Sequence, residues 1–226
     1  MAKIKPGDRM QNRQGCWFVV TECVSTNKYA VLFDSGCTNA AQTNDIKSGN
    51  VKDKFFPSVH GFGYLGEGAY STKSRFYRYW VAMVSRCYDP QTLQRQPAYR
   101  NVLIAEEWRN FQVFAKWAES QPGNDKGWDL DKDLFSGEVK IYSPDTCCFL
   151  PKEINSRLAK TNPKFYWRRN RFEVSLGKKW IGGFKSKEEA TTAYNKEVKS
   201  VLKALTDEYK SSISLSAYLT LTRFLN

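Results

Sequence analysis

The spacing of the apolar side chains changes twice along this chain, and each change predicts a different kind of local structure. Residues 16–21 and 29–33 are short, almost wholly apolar runs bounded by turn-forming residues, the pattern of short β strands. From Phe76 to Cys87 the apolar side chains recur at the intervals of an amphipathic helix. In residues 171–176 apolar and polar side chains alternate, as they do in a strand with one buried face, and a second helical repeat follows. The sequence therefore predicts an α+β protein with several domains.

Residues 1–57 are expected to form the first domain, a small β barrel or meander of about four or five strands. Turn-forming residues bound these short runs at positions 5–8, 25–27 and 34–36. Sheets of this size bind peptides, nucleic acids or other domains, so the strand pattern leaves the partner of this domain open.

A glycine-rich segment, residues 50–75, follows and contains the string GFGYLG. The string has the glycine spacing of a dinucleotide-binding loop, but no strand–turn–helix pattern surrounds it. We therefore interpret it as an ordered linker whose aromatic side chains pack on a neighbouring domain. His60, the single histidine of the chain, lies here, and a lone loop histidine is more often structural than catalytic. Two predicted helices follow within a second domain, residues 58–162: one begins at Phe76 and the other covers residues 106–120.

Acidic and basic side chains concentrate in residues 128–157, in the second half of that domain. Asp131, Lys132 and Asp133 are adjacent, and Asn155 follows after a turn. This convergence of ionisable groups makes the stretch the candidate active site. The alternative interpretation is a solvated strand end whose charges pair with one another, Lys132 with Asp133 for example. Both interpretations stay open.

The net charge of +12 is concentrated toward the C-terminal end of the chain. Residues 163–226 contain 13 basic and 6 acidic side chains and include the basic and aromatic run KFYWRR. Positive charge combined with stacking surfaces favours a nucleic acid over a membrane as the partner. A hairpin turn at Gly177-Lys178 and a helix that begins at Ser186, with Glu189 as its capping partner, complete the predicted third domain.

The composition argues against several classes of protein. No run of apolar residues approaches the roughly 20 needed to span a bilayer, so the chain is expected to be soluble, unexported and without a membrane partner. The six cysteines contain no CxxC pair, and a single histidine leaves few zinc ligands, so no structural zinc is expected. The cysteines are interpreted as reduced thiols.

Several strings, taken in order, point to a known family. GFGYLGEG, YWVAMVSRCY, EEWRNFQVFAKW and LDKDLFSGEVKIYSPDTCCFLPKEIN resemble the HNH-type endonuclease-like proteins of tailed bacteriophages. The ending RFEVSLGKKWIGGFKSKEEATTAYNKE resembles the Apetala-two type DNA-binding domain that is often fused to them. The resemblance covers most of the chain from about residue 50 onward.

The resemblance to HNH proteins implies a homing-type endonuclease that cuts double-stranded DNA with a divalent metal ion, in the cytoplasm of an infected bacterial host. It implies catalytic roles for Asp131, Lys132, Asp133 and Asn155, with Asp131 and Asp133 as oxygen ligands of Mg²⁺ or Mn²⁺. The chain departs from the family pattern because no histidine stands at the base position, where only a neutral Lys132 would serve. The alternative is a catalytically inactive relative that binds DNA, or a host or phage protein through the N-terminal barrel.

The Apetala-two resemblance implies a three-stranded sheet and a helix, with the sheet lying in the major groove of DNA. Alternation directs Phe172, Val174 and Leu176 toward the helix and the side chains between them outward. The residues expected to contact DNA are Arg168, Arg169, Arg171, Glu173, Lys178, Lys179 and Trp180.

Overall fold

The computed structural model of this protein describes residues 3–137, 139–158 and 163–225. It confirms a mixed α+β protein, with 38% helix and 24% strand distributed over several sheets. In this described part of the chain, no helix combines the length and the apolar character needed to cross a membrane.

The chain folds as two compact units, Met1–Ala118 and Glu119–Asn226. The boundary between the units falls inside the predicted second domain, residues 58–162. The predicted division into three domains, with limits at residues 57 and 162, remains a prediction, and each unit is described below by itself.

The first unit begins with a four-stranded antiparallel sheet in which each strand pairs with the next along the chain. Phe18, Val20, Val31 and Phe33 point to one face and are at most 2% exposed, because side chains alternate along each strand. Ile46 of the following helix completes this core. The elements are β1 (Arg9–Gln11), β2 (Trp17–Ser25), β3 (Lys28–Phe33), β4 (Thr38–Gln42) and α1 (Thr43–Ser48).

The small β barrel predicted for residues 1–57 is wrong, and the sheet is the open meander. Within the described residues, β1 and β4 are the two edges of the sheet and do not pair with each other. The three residues of β1 form too short a ladder to close a cylinder of strands. At the β4 edge, Asn39 Oδ1 accepts the backbone N–H of Ala40 at 2.8 Å, and Asn39 Nδ2 donates to the Lys52 carbonyl at 3.3 Å.

The helix predicted from Phe76 is confirmed, and it buries the expected apolar stripe, with Trp80 fully enclosed. A short helix that the sequence pattern did not predict comes directly after it. Asp89 ends the first helix, and its side chain accepts the backbone N–H of Thr92 at 3.0 Å, so that a new helix begins with Pro90 in its first turn. The two helices are α2 (Arg75–Tyr88) and α3 (Pro90–Arg95).

The helix predicted for residues 106–120 is interrupted at Asn110, which corrects the prediction of one continuous helix. Asn110 has an extended backbone, with φ −83° and ψ 114°, and its Oδ1 accepts the backbone N–H of Gln112 at 2.9 Å. This local bond replaces a helical one, as asparagine side chains commonly do. The elements here are 3-10 turns at Pro97–Tyr99 and Glu106–Arg109, strand β5 (Leu103–Ile104) and α4 (Phe111–Ser120).

The glycine-rich segment packs tightly on these helices within its own unit. A Cβ atom at Gly63 would lie 2.6 Å from the Trp80 ring, so only glycine permits this approach. Phe62 stacks on Tyr88, with ring centroids 4.1 Å apart. The predicted packing of its aromatic side chains is confirmed, and the segment belongs to the compact unit rather than to a linker between units.

The second unit begins with two short antiparallel strands, β6 and β8, followed by a helix. Phe149, Leu150 and Ile154 are at most 2% exposed and form the core of this region. The elements are β6 (Asp129–Asp131), β7 (Ile141–Tyr142), β8 (Cys148–Leu150) and α5 (Lys152–Leu158).

The C-terminal part of this unit has the predicted three-stranded sheet and helix. The Ser186 hydroxyl accepts the backbone N–H of Glu189 at 3.1 Å, so the predicted cap starts the helix. This helix packs on the second and third strands, where Val174 and Ala190 are fully buried. The elements are β9 (Phe165–Arg168), β10 (Arg171–Leu176), β11 (Lys179–Phe184), α6 (Lys187–Glu208) and α7 (Leu215–Leu225).

Candidate functional site

Asp131 lies at the end of β6 and turns the chain out of the strand. Its Oδ2 accepts the backbone N–H groups of Asp133 at 3.0 Å and of Leu134 at 2.8 Å. The residue is only 7% exposed, and burial raises the pKa of its carboxyl despite these two donors. Asp131 therefore stabilises a turn through its Oδ2 atom.

Lys132 is buried and pairs with its neighbour in the chain. Its Nζ donates to both carboxylate oxygens of Asp133 at 2.8 Å, and Lys140 Nζ lies 3.1 Å from Asp133 Oδ1. Burial opposes ionisation of Asp133, but the hydrogen bonds and positive charge of the two lysines outweigh it and lower its pKa. Strand alternation would place Lys132 on the side opposite both aspartates, but the strand ends at Asp131 and the Lys132 ammonium turns toward Asp133.

Asn155 connects helix α5 to strand β6. Its Nδ2 donates to Asp129 Oδ2 at 3.1 Å, across 26 positions of the sequence. Neither Asp129 nor Lys140 is among the site residues predicted from the sequence, although both contact residues of that set. No spacing rule in the sequence points to Lys140, because a bent loop and not a strand or helix brings it to Asp133.

A cavity of about 450 Å³ in the second unit brings most of the candidate active-site residues together. Asp131, Asp133 and Asn155 line it, with Lys140 beside them, whereas Lys132 is not part of the lining. The polar side chains of the lining are therefore two carboxylates, one amide, one ammonium group and the hydroxyls of Ser136 and Thr220.

This arrangement does not fit a divalent cation. One oxygen of Asp131 is held by two backbone N–H groups, and Asp133 is bracketed by two ammonium groups that repel a metal ion. In the part of the chain that the structure describes, no group of three or more His, Cys, Asp or Glu side chains is arranged to hold a metal. His60 lies in the first unit, with Nδ1 3.7 Å from Asp89 Oδ1.

The pairing of Lys132 with Asp133 predicts an asymmetric response to mutation. Asp133→Ala leaves a buried ammonium without its carboxylate and is expected to lower the free energy of unfolding by about 2 kcal/mol. Lys132→Met replaces that ammonium by an apolar chain of similar length and is expected to cost less than about 1 kcal/mol. Urea unfolding followed by circular dichroism measures both, with exposed Asp125→Ala as the control. Equal losses in the two variants would contradict the pairing.

The strand register of β9–β11 places one set of side chains on the sheet face that does not contact α6. Arg168 pairs with Arg171, and Ser175 pairs with Trp180, so each pair points to the same side. Trp180 is 64% exposed, and both arginines are exposed. The residues of this outward face are Tyr166, Arg168, Arg171, Glu173, Ser175 and Trp180.

A shallow groove of about 520 Å³ runs across this face. Arg168, Arg169, Arg171, Glu173 and Trp180 line it, so five of the predicted DNA-contacting residues come together. Among the described residues, no acidic side chain lies within ion-pair distance of these arginines. The groove therefore offers guanidinium donors and an aromatic surface to a ligand.

Two predicted contact residues lie elsewhere. Lys179 pairs with Leu176, which points toward α6, and its Nζ donates to Glu197 of that helix at 2.6 Å. Lys178 is exposed in the turn between β10 and β11, at the opposite end of β10 from Arg169. The groove therefore includes neither of these two lysines.

Arg169 occupies the tight turn between β9 and β10 in a conformation that arginine rarely adopts. Arg169 has φ 47° and Asn170 has φ 59°, the positive values that a two-residue hairpin turn of type I′ requires. A long side chain in this region costs about 1 kcal/mol relative to asparagine or glycine. Arg169 thus lines the groove at a backbone cost that asparagine or glycine would avoid.

We expect Arg169→Asn to stabilise the hairpin and weaken ligand binding at the same time. The variant should raise the free energy of unfolding by about 0.5–1 kcal/mol, because asparagine tolerates positive φ. Duplex affinity should fall about fivefold through loss of one phosphate contact. Thermal unfolding and fluorescence anisotropy measure the two effects. Arg169→Lys is the control that keeps both the charge and the strain, and a destabilised Arg169→Asn would refute the assigned turn strain.

No family model, curated protein or solved structure matches this chain significantly. The resemblance to HNH proteins and to the Apetala-two domain therefore remains a prediction from the quoted strings.

Proposed function

We propose that this protein binds double-stranded DNA through the outward face of β9–β11. The observation that carries the proposal is the groove in which Arg168, Arg169 and Arg171 meet exposed Trp180 with no acidic partner at ion-pair distance in the described residues. Exposed guanidinium groups that lack an acidic partner bind phosphates and the acceptor edge of guanine.

The shape of the region favours a duplex over a single strand. A small antiparallel sheet of a few strands fits the major groove, which is about 12 Å wide. Glu173 lies among the arginines on the outward face, where a carboxylate accepts from the cytosine amino group and repels phosphate. In a channel that binds a single strand through its phosphates alone, such a carboxylate would only weaken binding. The arrangement therefore supports base contact within a groove, with the arginines positioning the backbone.

The cavity around Asp131 and Asp133 supports the second of the two sequence hypotheses, a protein that binds DNA without cutting it. Lys132 and Lys140 hold Asp133 as a structural carboxylate, and Lys132 contacts it as a hydrogen-bond donor, whereas a general base has to accept a proton. Incubation of plasmid DNA with the protein and Mg²⁺ or Mn²⁺ tests this inference. Cleavage that Asp131→Ala and Asp133→Ala abolish would restore the endonuclease hypothesis.

Binding of the full chain to a fluorescently labelled 30-base-pair duplex tests the proposed function. Anisotropy should show affinity that falls steeply with salt, with a slope of about −3 to −5 in log–log form from the contacts of the groove. An unlabelled duplex should compete at least about tenfold better than a single strand of equal length, because the base edges and the backbone are read together. Affinity that is absent, insensitive to salt or stronger for the single strand would overturn the proposal.

A further inference from the structure

A second basic surface lies on helix α6 and is not part of the groove. Lys196, Lys199 and Lys203 are all exposed, and their spacing places them on one side of the helix over two turns. The other exposed residues between Glu189 and Asp207 are Thr192, Asn195, Ser200 and Ala204. This lysine stripe, residues 196, 199 and 203, is therefore uninterrupted by acidic side chains.

The acid nearest to the stripe in sequence is directed away from it. Glu197 accepts from Lys179 Nζ at 2.6 Å at the sheet side of α6, and its side chain is only 20% exposed. The described part of the chain places no carboxylate within ion-pair distance of the three stripe lysines. The positive charge of the stripe is thus free to attract an anion from solution.

The lysine stripe and the arginine groove face in opposite directions. Helix α6 packs on the inner face of the sheet, where Ala190 is fully buried, whereas the groove is on the outer face. Successive helical residues are separated by about 100°, so the stripe lies roughly 150° around the helix axis from that packed side. A duplex held in the groove leaves the stripe exposed on the far side of the same module.

The chemistry of the stripe selects a polyanion with regularly spaced charges. Lys196 and Lys203 are about 10 Å apart along the helix, a separation over which a duplex presents several phosphates. The neighbouring exposed residues are small or polar, so the stripe lacks the apolar contacts by which an amphipathic helix enters a membrane surface. Lysine without aromatic partners suits backbone phosphates rather than bases.

We propose that the protein bridges two DNA duplexes, one in the groove of β9–β11 and one along the lysine stripe of α6. This inference rests on the proposed function, because it requires the groove to hold the first duplex. The stripe contact is independent of sequence and sensitive to salt, whereas the groove contact reads base edges as well.

A bead assay with the full chain tests the bridge. A biotinylated duplex is fixed on streptavidin beads, and recovery of a second, fluorescent duplex of the same sequence is measured with and without the protein. The triple variant Lys196→Gln, Lys199→Gln and Lys203→Gln should recover at least about fivefold less fluorescent duplex than the wild type, since each lost phosphate contact weakens binding severalfold. Its anisotropy-measured affinity for a single duplex should change less than about threefold, because the groove is intact.

A charge-matched control separates the stripe from net charge. Exposed lysines of the first unit, changed as Lys3→Gln, Lys73→Gln and Lys116→Gln, remove the same total charge and should leave recovery unchanged. Wild-type protein that binds one duplex in anisotropy but recovers no second duplex would overturn the bridge alone, whereas absence of any duplex binding would overturn the proposed function. Bridging retained by the stripe variant, with loss of binding to phosphatidylserine vesicles, would assign the stripe to a membrane surface.

Discussion

Replacing Arg168 and Arg171 together by alanine is expected to weaken duplex binding at least about 100-fold, because a guanidinium in a base or phosphate contact contributes about 1–3 kcal/mol. The two residues face each other across β9 and β10 and share their side of the sheet with Trp180. Loss of two phosphate or base contacts should also reduce the salt slope by up to about 2. Fluorescence anisotropy of a labelled duplex across a salt series measures both quantities.

The matched control removes the same charge from helices of the first unit. Arg78→Ala combined with Arg95→Ala deletes two exposed arginines, and affinity should change less than about threefold. Arg168→Lys combined with Arg171→Lys keeps the charge but not the planar fork, so an intermediate loss is expected. If the two alanine pairs weaken binding equally, overall charge and not this sheet face accounts for the affinity.

The largest expected effect on stability concerns Gly63 and Trp80 in the first unit. Gly63→Ala places a Cβ atom 2.6 Å from the six-membered ring of a fully buried tryptophan and should cost about 2–3 kcal/mol. Trp80→Phe removes that ring and the Nε1–H bond to the Trp108 carbonyl at 2.7 Å, and should cost about 3 kcal/mol. In the double variant the added methyl group occupies the space left by the ring. The double variant should therefore be no less stable than Trp80→Phe alone.

Urea unfolding of the two single variants and the double variant measures the coupling between the positions. We expect an interaction free energy of about 2 kcal/mol in favour of the double variant, since the two residues share one contact. Gly137→Ala is the control, because no atom lies within 4 Å of its added Cβ and its φ is not positive. If the losses of unfolding free energy in the two single variants simply add in the double variant, the Trp80 ring is not what excludes a side chain at position 63.

Elements set by local chemistry were predictable from the sequence. The Ser186 cap with Glu189, the alternation around Val174 and the helical stripe through Trp80 all depend on spacings within one element. The side of the sheet on which Lys179 lies could also have been predicted from the sequence, although Lys179 was assigned to the DNA-contacting residues. A two-residue turn after Leu176 forces Lys179 opposite it, on the helix side of the sheet.

The arrangement of the candidate active site could not be predicted from the spacing of residues in the sequence. Alternation across Asp131, Lys132 and Asp133 assumes a continuing strand, but the Asp131 side chain ends it by binding the next backbone N–H groups. Lys140 reaches Asp133 through a loop, and Asn155 reaches Asp129 across the fold. Asn110 interrupts a helix in the same way, through a side chain that competes with the backbone. The ends of these elements are thus set by side chains that hydrogen-bond the backbone in place of the strand or helix pattern.

The open meander of the first unit has a consequence for the behaviour of the protein at high concentration. An exposed strand edge is a template on which another chain can add a strand. Here β1 is only three residues long, and on β4 the Asn39 side chain already holds the backbone N–H of Ala40. An incoming strand would have to displace that bond before it formed one of its own. The sheet thereby resists edge-to-edge aggregation without closing into a barrel.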